Sequence, residues 1–309
     1  MARNPRKQKP EVKQELNLIQ LIQRFHSEDA CREYLEELRW PGKLACLRCG
    51  STSVSRIHTR DQLDCNSCRY RFSVTTGTIF HDTHLPLWKW FLAVYTIIES
   101  KKGVSSNQLK RELGVSYKTA WYLSHRIRNA MAQAREDNKP FDGIIEMDET
   151  FVGGKTEGKG RGYKGNKALV VGVVQGGGEI VLRVADDRTR KTLHEIVLRQ
   201  TDPKAKAIFT DEWPAYRGIG DADTRHETVN HSQDEYVRGE VRINSAKNVW
   251  SLLKRSIIGA FHHVSVKHLD AYLDELEWRF SNRENPFMFR DTMRELVKAE
   301  NLEYKELTA

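Results

Sequence analysis

The chain has 309 residues with a formal net charge of +8, and 39% of its residues are apolar. That length predicts about two domains with small appendages, and the apolar share supports at least one large core. The longest apolar stretch, residues 87–98, is too short to cross a bilayer and contains Lys89, so we expect no membrane span.

The excess of positive charge lies in the first half of the chain. Residues 1–141 contain 24 Lys/Arg against 14 Asp/Glu, whereas residues 142–309 contain 26 against 28. A basic front half predicts a polyanion as partner, most commonly nucleic acid, although excess Lys and Arg also serve solubility alone. The opening residues are polar and basic without an apolar core, so we expect a cytoplasmic protein without a signal peptide.

Residues 1–40 predict a basic tail followed by two short amphipathic helices. The tail covers residues 1–13, and ELNLIQLIQRF and SEDACREYLEELRW follow with helical spacing of their apolar residues. Ser27 stands where it would cap the second helix. Cys31 falls at an apolar position of that helix, so we expect it in the core.

Residues 41–85 are characterised by two pairs of cysteines. The pattern is C-x2-C-x15-C-x2-C, formed by Cys46, Cys49, Cys65 and Cys68. Each pair can present two thiolates to one tetrahedral Zn²⁺, and the spacer has the length of a short hairpin. Because a cytosolic chain favours zinc over disulfides, we predict a structural zinc ribbon without an open position for catalysis.

Residues 86–141 predict helices only. An apolar helix around 86–99 precedes residues 105–131, in which Gly114 separates two helices and Ser116 caps the second. This is the layout of a DNA-binding helix-turn-helix, and an ordinary pair of packed helices is the alternative. The side chains that the second helix would display are Tyr117, Lys118, Thr119, Tyr122, His125, Arg126 and Arg128.

Residues 142–295 combine predicted strands with helices. IIEMDETFV, ALVVGVVQ and EIVLRVA are β-branched runs that predict three successive strands. RKTLHEIVLRQ then predicts a helix, KAIFTD a fourth strand and ETVNH a fifth, before helices at 245–258 and 266–281. A mixed α/β domain therefore follows the zinc-bearing, helical front of the chain, and residues 296–309 form a C-terminal tail.

Two aspartates stand out in this α/β domain. Asp148 lies within an otherwise apolar strand, where a carboxylate is costly unless it is paired or binds a metal ion. Asp211 ends the fourth predicted strand, where capping of a following helix is an alternative role. If neighbouring strands carry these two carboxylates, they can share a pair of Mg²⁺ ions, as two-metal phosphoryl transfer requires.

Several segments together resemble the DDE transposases of the zinc-ribbon-bearing, ISXO-like insertion-sequence family. They are CLRCG with CNSC, IIEMDETFVGGK, FTDEWPAY and NSAKNVWSLLKRSIIGAFHHVSVKHLDAYLDELEWRFSNREN, and the resemblance extends over residues 16–295. It implies an RNase H-like catalytic domain in which two Asp and a third, usually acidic, residue hold Mg²⁺ or Mn²⁺. It also implies that the enzyme cuts double-stranded DNA at transposon ends and joins the 3′-hydroxyl to target DNA.

The motifs of that family assign roles to residues of this chain. The first acid is Asp148 and the second is Asp211, while Lys254 and Arg255 would hold DNA beside the metal ions. The resemblance also implies a homo-oligomer in the synaptic complex and a nucleoid-associated protein. Trp250 and Leu253 have core spacing on the same predicted helix, so we expect them to pack.

Lys247 occupies the third acidic position, where related sequences have glutamate. Between Asp211 and Lys247 lie 35 residues, a gap common in DDE transposases, so a shift of register does not explain the lysine. An ammonium has no lone pair for a metal ion, and it repels a second cation at short range. We therefore predict that catalysis is impaired.

Two main hypotheses about function follow from these residues. The first is a metal-dependent DNA strand transferase, and the second is a DNA-binding protein of transposase descent without catalysis. A third, a zinc-ribbon transcription factor whose α/β domain binds a partner, leaves the two aspartates and their distance from Lys247 unexplained.

Overall fold

The computed structural model describes residues 16–136, 140–153, 167–176, 178–220, 224–229, 237–238, 241–242 and 244–309. The predicted basic tail at residues 1–13 lies outside these ranges. The helices are α1 Leu18–Arg24, α2 Glu28–Arg39, α3 Leu87–Glu99, α4 Ser106–Leu113, α5 Tyr117–Glu136, α6 Arg190–Gln200, α7 Asn244–Ser256, α8 Leu269–Ser281, α9 Met288–Lys298 and α10 Tyr304–Thr308.

The helix boundaries agree with the capping signals in the sequence. The backbone N–H of Ala30 donates to the side chain of Ser27 at the start of α2, over 3.2 Å. Gly114 ends α4 in the left-handed region, with φ of 59°, and Ser116 accepts a hydrogen bond from the backbone N–H of Thr119 at the start of α5. Both expected helices of the helix-turn-helix are therefore present.

The strands form three sheets. They are β1 Val54–Ile57, β2 Gln62–Cys65 and β3 Arg71–Phe72 in the first, β4 Ile144–Val152, β5 Ala168–Gln175, β6 Ile180–Ala185, β7 Ala207–Asp211 and β8 Arg225–Val229 in the second, and β9 Val237–Arg238 with β10 Val241–Arg242 in the third. The five strands predicted after residue 142 are thus confirmed, each within two residues of its expected ends.

The five-stranded sheet has the order β6-β5-β4-β7-β8. β4, β5 and β6 pair antiparallel, whereas β7 pairs parallel with β4, and β8 pairs parallel with β7. A parallel neighbour requires a crossover, which α6 provides between β6 and β7. This arrangement confirms the mixed α/β domain that the sequence predicts and the RNase H-like sheet that the family resemblance implies.

Helices cover both faces of this sheet. One face packs on α6 through a core that includes Ile145, Met147, Leu193 and Val197. The opposite face packs on α7 and α8 through Val170, Leu182, Val249, Trp250 and Leu273. Because successive residues of a strand point to opposite faces, β4 directs Glu146 and Asp148 toward α7 and directs Glu149 toward the other side.

A second large core holds the helical front of the chain together. It contains apolar residues of α1 to α5 and also of α9, including Met288, Phe289 and Leu296. The chain therefore returns to its N-terminal helices after it completes the sheet. In the described residues, no helix has both the length and the apolar composition that crossing a membrane requires.

A buried charged cluster joins the helical front to the sheet domain. Glu275 of α8 is fully buried and accepts hydrogen bonds from Arg128 of α5 (2.7 Å) and from Arg279 (3.2 Å). Arg279 also donates to the backbone carbonyls of Ser100 and Lys101. The helix α5 is thereby attached to α8 by charges that have little access to water.

We predict that Glu275→Ala lowers the free energy of unfolding by about 3 kcal/mol or more, because it leaves two buried guanidinium groups without their carboxylate. Urea denaturation followed by circular dichroism measures the change. The matched control is Glu295→Ala, which removes a pair between Glu295 and the exposed Lys298 on α9. That change should cost less than about 1 kcal/mol. Equal effects of the two substitutions would contradict the assigned role of Glu275.

Candidate functional site

The four predicted zinc ligands lie together in the small three-stranded sheet. The sulfurs of Cys46 and Cys68 are 3.6 Å apart, as are those of Cys49 and Cys65, and all four lie within 4.8 Å of one another. Tetrahedral Zn²⁺ with bonds of about 2.3 Å sets neighbouring sulfurs roughly 3.8 Å apart. The four cysteines are therefore positioned to bind one zinc ion, as the sequence predicts.

Local backbone bonds favour the thiolate form of Cys46 and Cys65. The backbone N–H of Arg48 points at the Cys46 sulfur over 3.4 Å, and that of Cys68 points at the Cys65 sulfur over 3.5 Å. The bond from Cys68 is the largest cause that lowers the pKa of Cys65, to about 6. By contrast, Cys31 is buried in the helical core as expected, and burial raises its pKa to about 12.

The two aspartates lie at the same level of adjacent parallel strands. β4 pairs with β7 at Glu146 and Phe209, and continuing this register by two residues sets Asp148 opposite Asp211. Opposite residues of neighbouring strands point to the same face of a sheet. Burial is the largest cause that raises the pKa of Asp148, and the negative charge of Asp211 raises it further. β4 and β7 thus bring together the pair that the sequence singled out.

Asp148 is partly buried against the indole of Trp250. The indole N–H donates to Oδ2 of Asp148 over 3.0 Å, and Asp148 pairs across the sheet with Gly172. A Cβ at position 172 would lie 2.6 Å from the Trp250 ring, so a glycine is needed beside the indole. Burial raises the pKa of Asp148 to about 6, while the bond from Trp250 and the charge of Lys247 act in the opposite direction.

A third acidic residue, Glu146, fixes the beginning of α7. Its buried carboxylate accepts hydrogen bonds from the backbone N–H of Ser245 (2.8 Å), the hydroxyl of Ser245 (2.9 Å) and the backbone N–H of Ala246 (3.3 Å). The first N–H groups of a helix have no partners within the helix, and a carboxylate at that end also suits the helix dipole. Glu146 therefore holds Lys247, which follows directly, beside Asp148.

Lys247 brings a positive charge to the site where a third carboxylate is expected. Its charge lowers the pKa of Asp148, so the two groups interact. Among the described residues, the four cysteines are the only group of three or more side chains placed to share a metal ion. The carbonyl oxygen of the neighbouring Asn248 is an imperfect substitute for the third carboxylate, because Asn248 is exposed and points about 100° away from position 247 on an ideal helix. At the site formed by β4 and β7, a divalent cation would therefore have two carboxylate ligands, Asp148 and Asp211.

The other side of β4 carries a separate charged network. Glu149 is nearly buried, accepts a hydrogen bond from the hydroxyl of Tyr216 and forms an ion pair with Arg188. Burial raises the pKa of Glu149, whereas Tyr216 and Arg188 lower it. Asp211 contributes to the same loop, because its Oδ1 accepts a hydrogen bond from the backbone N–H of Trp213 over 2.9 Å. The alternative role of Asp211 as a helix cap finds no support here, since the short helix Pro214–Tyr216 begins without a side-chain cap.

The C-terminal segment covers part of the second helix of the helix-turn-helix. The hydroxyl of Tyr122 donates to the carbonyl of Leu302 over 2.5 Å, and Arg126 donates to Asn301 over 2.6 Å and to the carbonyl of His81 over 3.0 Å. Arg126 is only 5% exposed. This arrangement corrects the expectation that Arg126 is displayed for DNA, because its guanidinium is buried and bonded within the chain. The half-buried Tyr122 has its hydroxyl occupied, and its contact with DNA stays a prediction.

Other residues of α5 divide into buried and exposed sets. His125 and Arg128 were also expected at the surface, but both are about 1% exposed and face α8. Tyr117 and Lys118 are exposed, and Thr119 is half-buried. The ammonium of Lys118 lies 4.3 Å from the centre of the Tyr304 ring. Of the four residues proposed to contact DNA here, Lys118 is exposed, Thr119 and Tyr122 are half-buried, and Arg126 is buried.

On α7, Lys254 and Arg255 are both exposed, two turns beyond Lys247. The apolar spacing of α7 predicts that Trp250 packs in the core, and it gives no sign that the indole also bonds Asp148. Glu146 is not among the site residues predicted from the sequence. The alternation along β4 is the one signal for Glu146, since a second acid two residues before Asp148 must share its face.

We predict that Cys49→Ser lowers the bound zinc from one equivalent per chain toward zero, because a structural site needs all four ligands. Atomic emission spectroscopy on the purified protein measures the content. Cys31→Ser, which removes a cysteine outside the cluster, should retain one equivalent. A full equivalent of zinc in the Cys49 variant would contradict the assignment.

Comparisons with known proteins agree with this geometry. Residues 140–281 match the model of the ISXO2-like transposase domain, and residues 26–71 match that of the transposase zinc-ribbon domain. A protein of Halobacterium salinarum, described as an uncharacterized protein in transposable element ISH50, is 30% identical over 278 residues, which are 84% of this chain and 92% of that protein. An uncharacterized transposase-like protein of Haemophilus influenzae is 30% identical over 93 residues, 30% of this chain and 73% of its own.

Solved structures show weaker similarity. The Mos1 strand transfer complex is 12% identical with a TM-score of 0.29, over 67% of this chain and 75% of the other. The simian T-cell lymphotropic virus intasome in complex with a PP2A regulatory subunit is 15% identical with a TM-score of 0.30, over 62% and 67%. TM-scores of this size carry no argument. The two family models and the relative from Halobacterium salinarum show the family instead: the chain belongs to the ISXO2-like transposases.

Proposed function

We propose that this protein is an insertion-sequence transposase that binds the double-stranded ends of its element and catalyses metal-dependent DNA cleavage and strand transfer. The observation that carries the proposal is the convergence of Asp148 and Asp211 on neighbouring parallel strands, with α7 held against them by Glu146. Carboxylates that meet at one point of a sheet are what divalent-metal phosphoryl transfer requires.

Mg²⁺ or Mn²⁺ is the cofactor that these carboxylates would hold. When bound, such an ion neutralises charge on the phosphate and activates the attacking oxygen. The chain's own contribution is to orient the ligands: Trp250 fixes one oxygen of Asp148, and the backbone N–H of Trp213 fixes one oxygen of Asp211. Ligands held in this way lose less entropy on binding a cation.

Lys247 weakens this site for a second cation. A glutamate at that position would add one negative charge, whereas lysine adds one positive charge, a difference of two charges beside the carboxylates. At about 4 Å, two unit charges interact by roughly 4 kcal/mol in the partly shielded environment near a protein surface. We therefore propose a transposase whose cleavage is slow in its native form.

The alternative is a protein of the same descent that binds DNA and does not cut it. Lys247 favours this alternative, and the retained placement of Asp148 and Asp211 favours a catalytic role. Under both hypotheses the partner is double-stranded DNA, which implies a nucleoid-associated protein. Cutting and joining two ends in one complex further implies a homo-oligomer.

Cleavage assays on DNA from the flanks of the encoding locus distinguish the two hypotheses. We predict that the native protein with Mg²⁺ or Mn²⁺ cuts these ends weakly or not at all. Lys247→Glu should increase the cleavage rate at least tenfold, because it replaces a charge that repels the second cation with a ligand for it. A tenfold increase corresponds to lowering the activation barrier of cleavage by about 1.4 kcal/mol.

Two controls make this result specific. Lys247→Gln removes the charge without adding a carboxylate, so it separates relief of repulsion from the gain of a ligand. Asp148→Ala in the Lys247→Glu background should abolish the gain. Robust cleavage by the native protein would refute the inhibitory role of Lys247.

DNA binding would involve the exposed cations Lys118, Lys254 and Arg255, with Thr119 as a further polar contact. Their side chains, except for the half-buried Thr119, are exposed on α5 and α7. A lysine that contacts a phosphate releases counterions, so its removal weakens binding and makes the binding less dependent on salt.

We predict that Lys254→Ala weakens binding to end DNA and reduces the slope of log K against log salt by about 1. Fluorescence anisotropy over a range of salt concentrations measures both effects. The matched control is Lys191→Ala, because Lys191 is equally exposed but lies on α6, across the sheet from α7. An unchanged slope for the Lys254 variant would remove Lys254 from the DNA interface.

A further inference from the structure

Trp213 is an exposed aromatic residue next to the candidate metal ligands. Its side chain is 41% exposed, although large aromatic side chains usually bury most of their surface. It follows Asp211 by two residues, so their Cα atoms are at most roughly 7 Å apart. The hydrogen bond from its backbone N–H to Asp211 fixes the residue relative to that carboxylate.

The exposed ring is supported from one side. The guanidinium of Arg188 lies 4.1 Å from the centre of the Trp213 ring. Arg188 is in turn paired with Glu149, which is buried and also bonded to Tyr216. Arg188 is therefore held by a charge in the interior, and the indole rests on a fixed cationic surface.

We propose that Trp213 stacks on an unpaired nucleobase adjacent to the phosphate that a divalent cation at Asp148 and Asp211 would hold. This inference rests on the proposed function, because it requires a DNA end at those carboxylates. An aromatic face binds any base by stacking, and a neighbouring arginine adds a cation that suits the DNA backbone. The terminal base of a cut strand has lost one stacking neighbour, so it is the base that costs least to unstack.

The position of Trp213 argues against a purely structural role. The buried carboxylate of Glu149 already has two partners, Arg188 and the hydroxyl of Tyr216, so it does not need the indole. Within the described part of the chain, the Trp213 side chain adds no hydrogen bond to that network, and its ring remains open to solvent over much of its surface. Its surroundings match those of a base platform, because a cation lies on one face of the ring and the backbone of the same residue is bonded to Asp211.

The experiment is a double-mutant cycle in which the indole ring of Trp213 and the unpaired base of the DNA are removed separately and together. Binding is measured with duplexes from the flanks of the encoding locus that end in one unpaired nucleotide, with its base present or replaced by an abasic residue. The native chain should prefer the end with the base. Trp213→Ala should weaken that binding about tenfold and leave binding to the abasic end unchanged. Trp213→Phe should retain most of the preference.

Trp88 provides the matched control. It is also 41% exposed and lies 5.3 Å from the ammonium of Lys89, but it belongs to α3 in the helical front. Trp88→Ala should therefore leave the preference for the base intact. Urea denaturation of each variant reports whether the substitution has changed the stability of the fold.

Three outcomes would overturn the inference. The first is an equal loss of affinity for both ends in Trp213→Ala, which identifies a structural role. The second is no loss for either end. The third is a change of oligomeric state without DNA, measured by light scattering, which identifies a contact between copies of the chain. If the native chain does not distinguish end DNA from unrelated DNA of equal length, the proposed function itself fails.

Discussion

The burial of three acidic side chains in one strand is the constraint on which the rest of the sheet domain depends. Glu146, Asp148 and Glu149 all lie in β4, where an unpaired carboxylate would be costly. Each has its own partner: the start of α7 for Glu146, the indole of Trp250 for Asp148, and Arg188 with Tyr216 for Glu149. The hydrogen bonds and ion pair of these three carboxylates hold α7, the β6–α6 connection and the loop after β7 against β4.

This arrangement explains how Lys247 changes the chemistry without changing the architecture. The helix α7 is held by Glu146 through its backbone and Ser245, and by apolar packing of residues such as Val249 and Leu253. None of these contacts depends on the side chain at position 247. A substitution there alters the charge beside Asp148 while the fold that presents it persists, which is why a catalytic test separates the two functional hypotheses.

The helical front of the chain is tied to the sheet domain by burial of both charge and apolar surface. Arg128, Glu275 and Arg279 connect α5 with α8, and α9 completes the core formed by α1 to α5. The residues after α9 then cover one side of α5, where Leu302 and Asn301 accept hydrogen bonds from Tyr122 and Arg126. The accessible surface of the helix-turn-helix is therefore smaller than its sequence indicates.

The sequence by itself determined the five strands of the large sheet, the helices up to α8, the zinc ribbon and the identity of the two aspartates. It did not predict α9 and α10, which occupy part of the segment assigned to a C-terminal tail. The predicted features follow from local patterns, namely the period of apolar residues, two cysteine pairs and carboxylates inside an apolar strand or at its end. Tertiary structure alone decided which polar groups face each other. Trp250 and Asp148 are 102 residues apart, and Tyr122 and Leu302 are 180 apart. Local periodicity specifies which face of an element is buried, but the partner of a buried polar group depends on packing between distant segments.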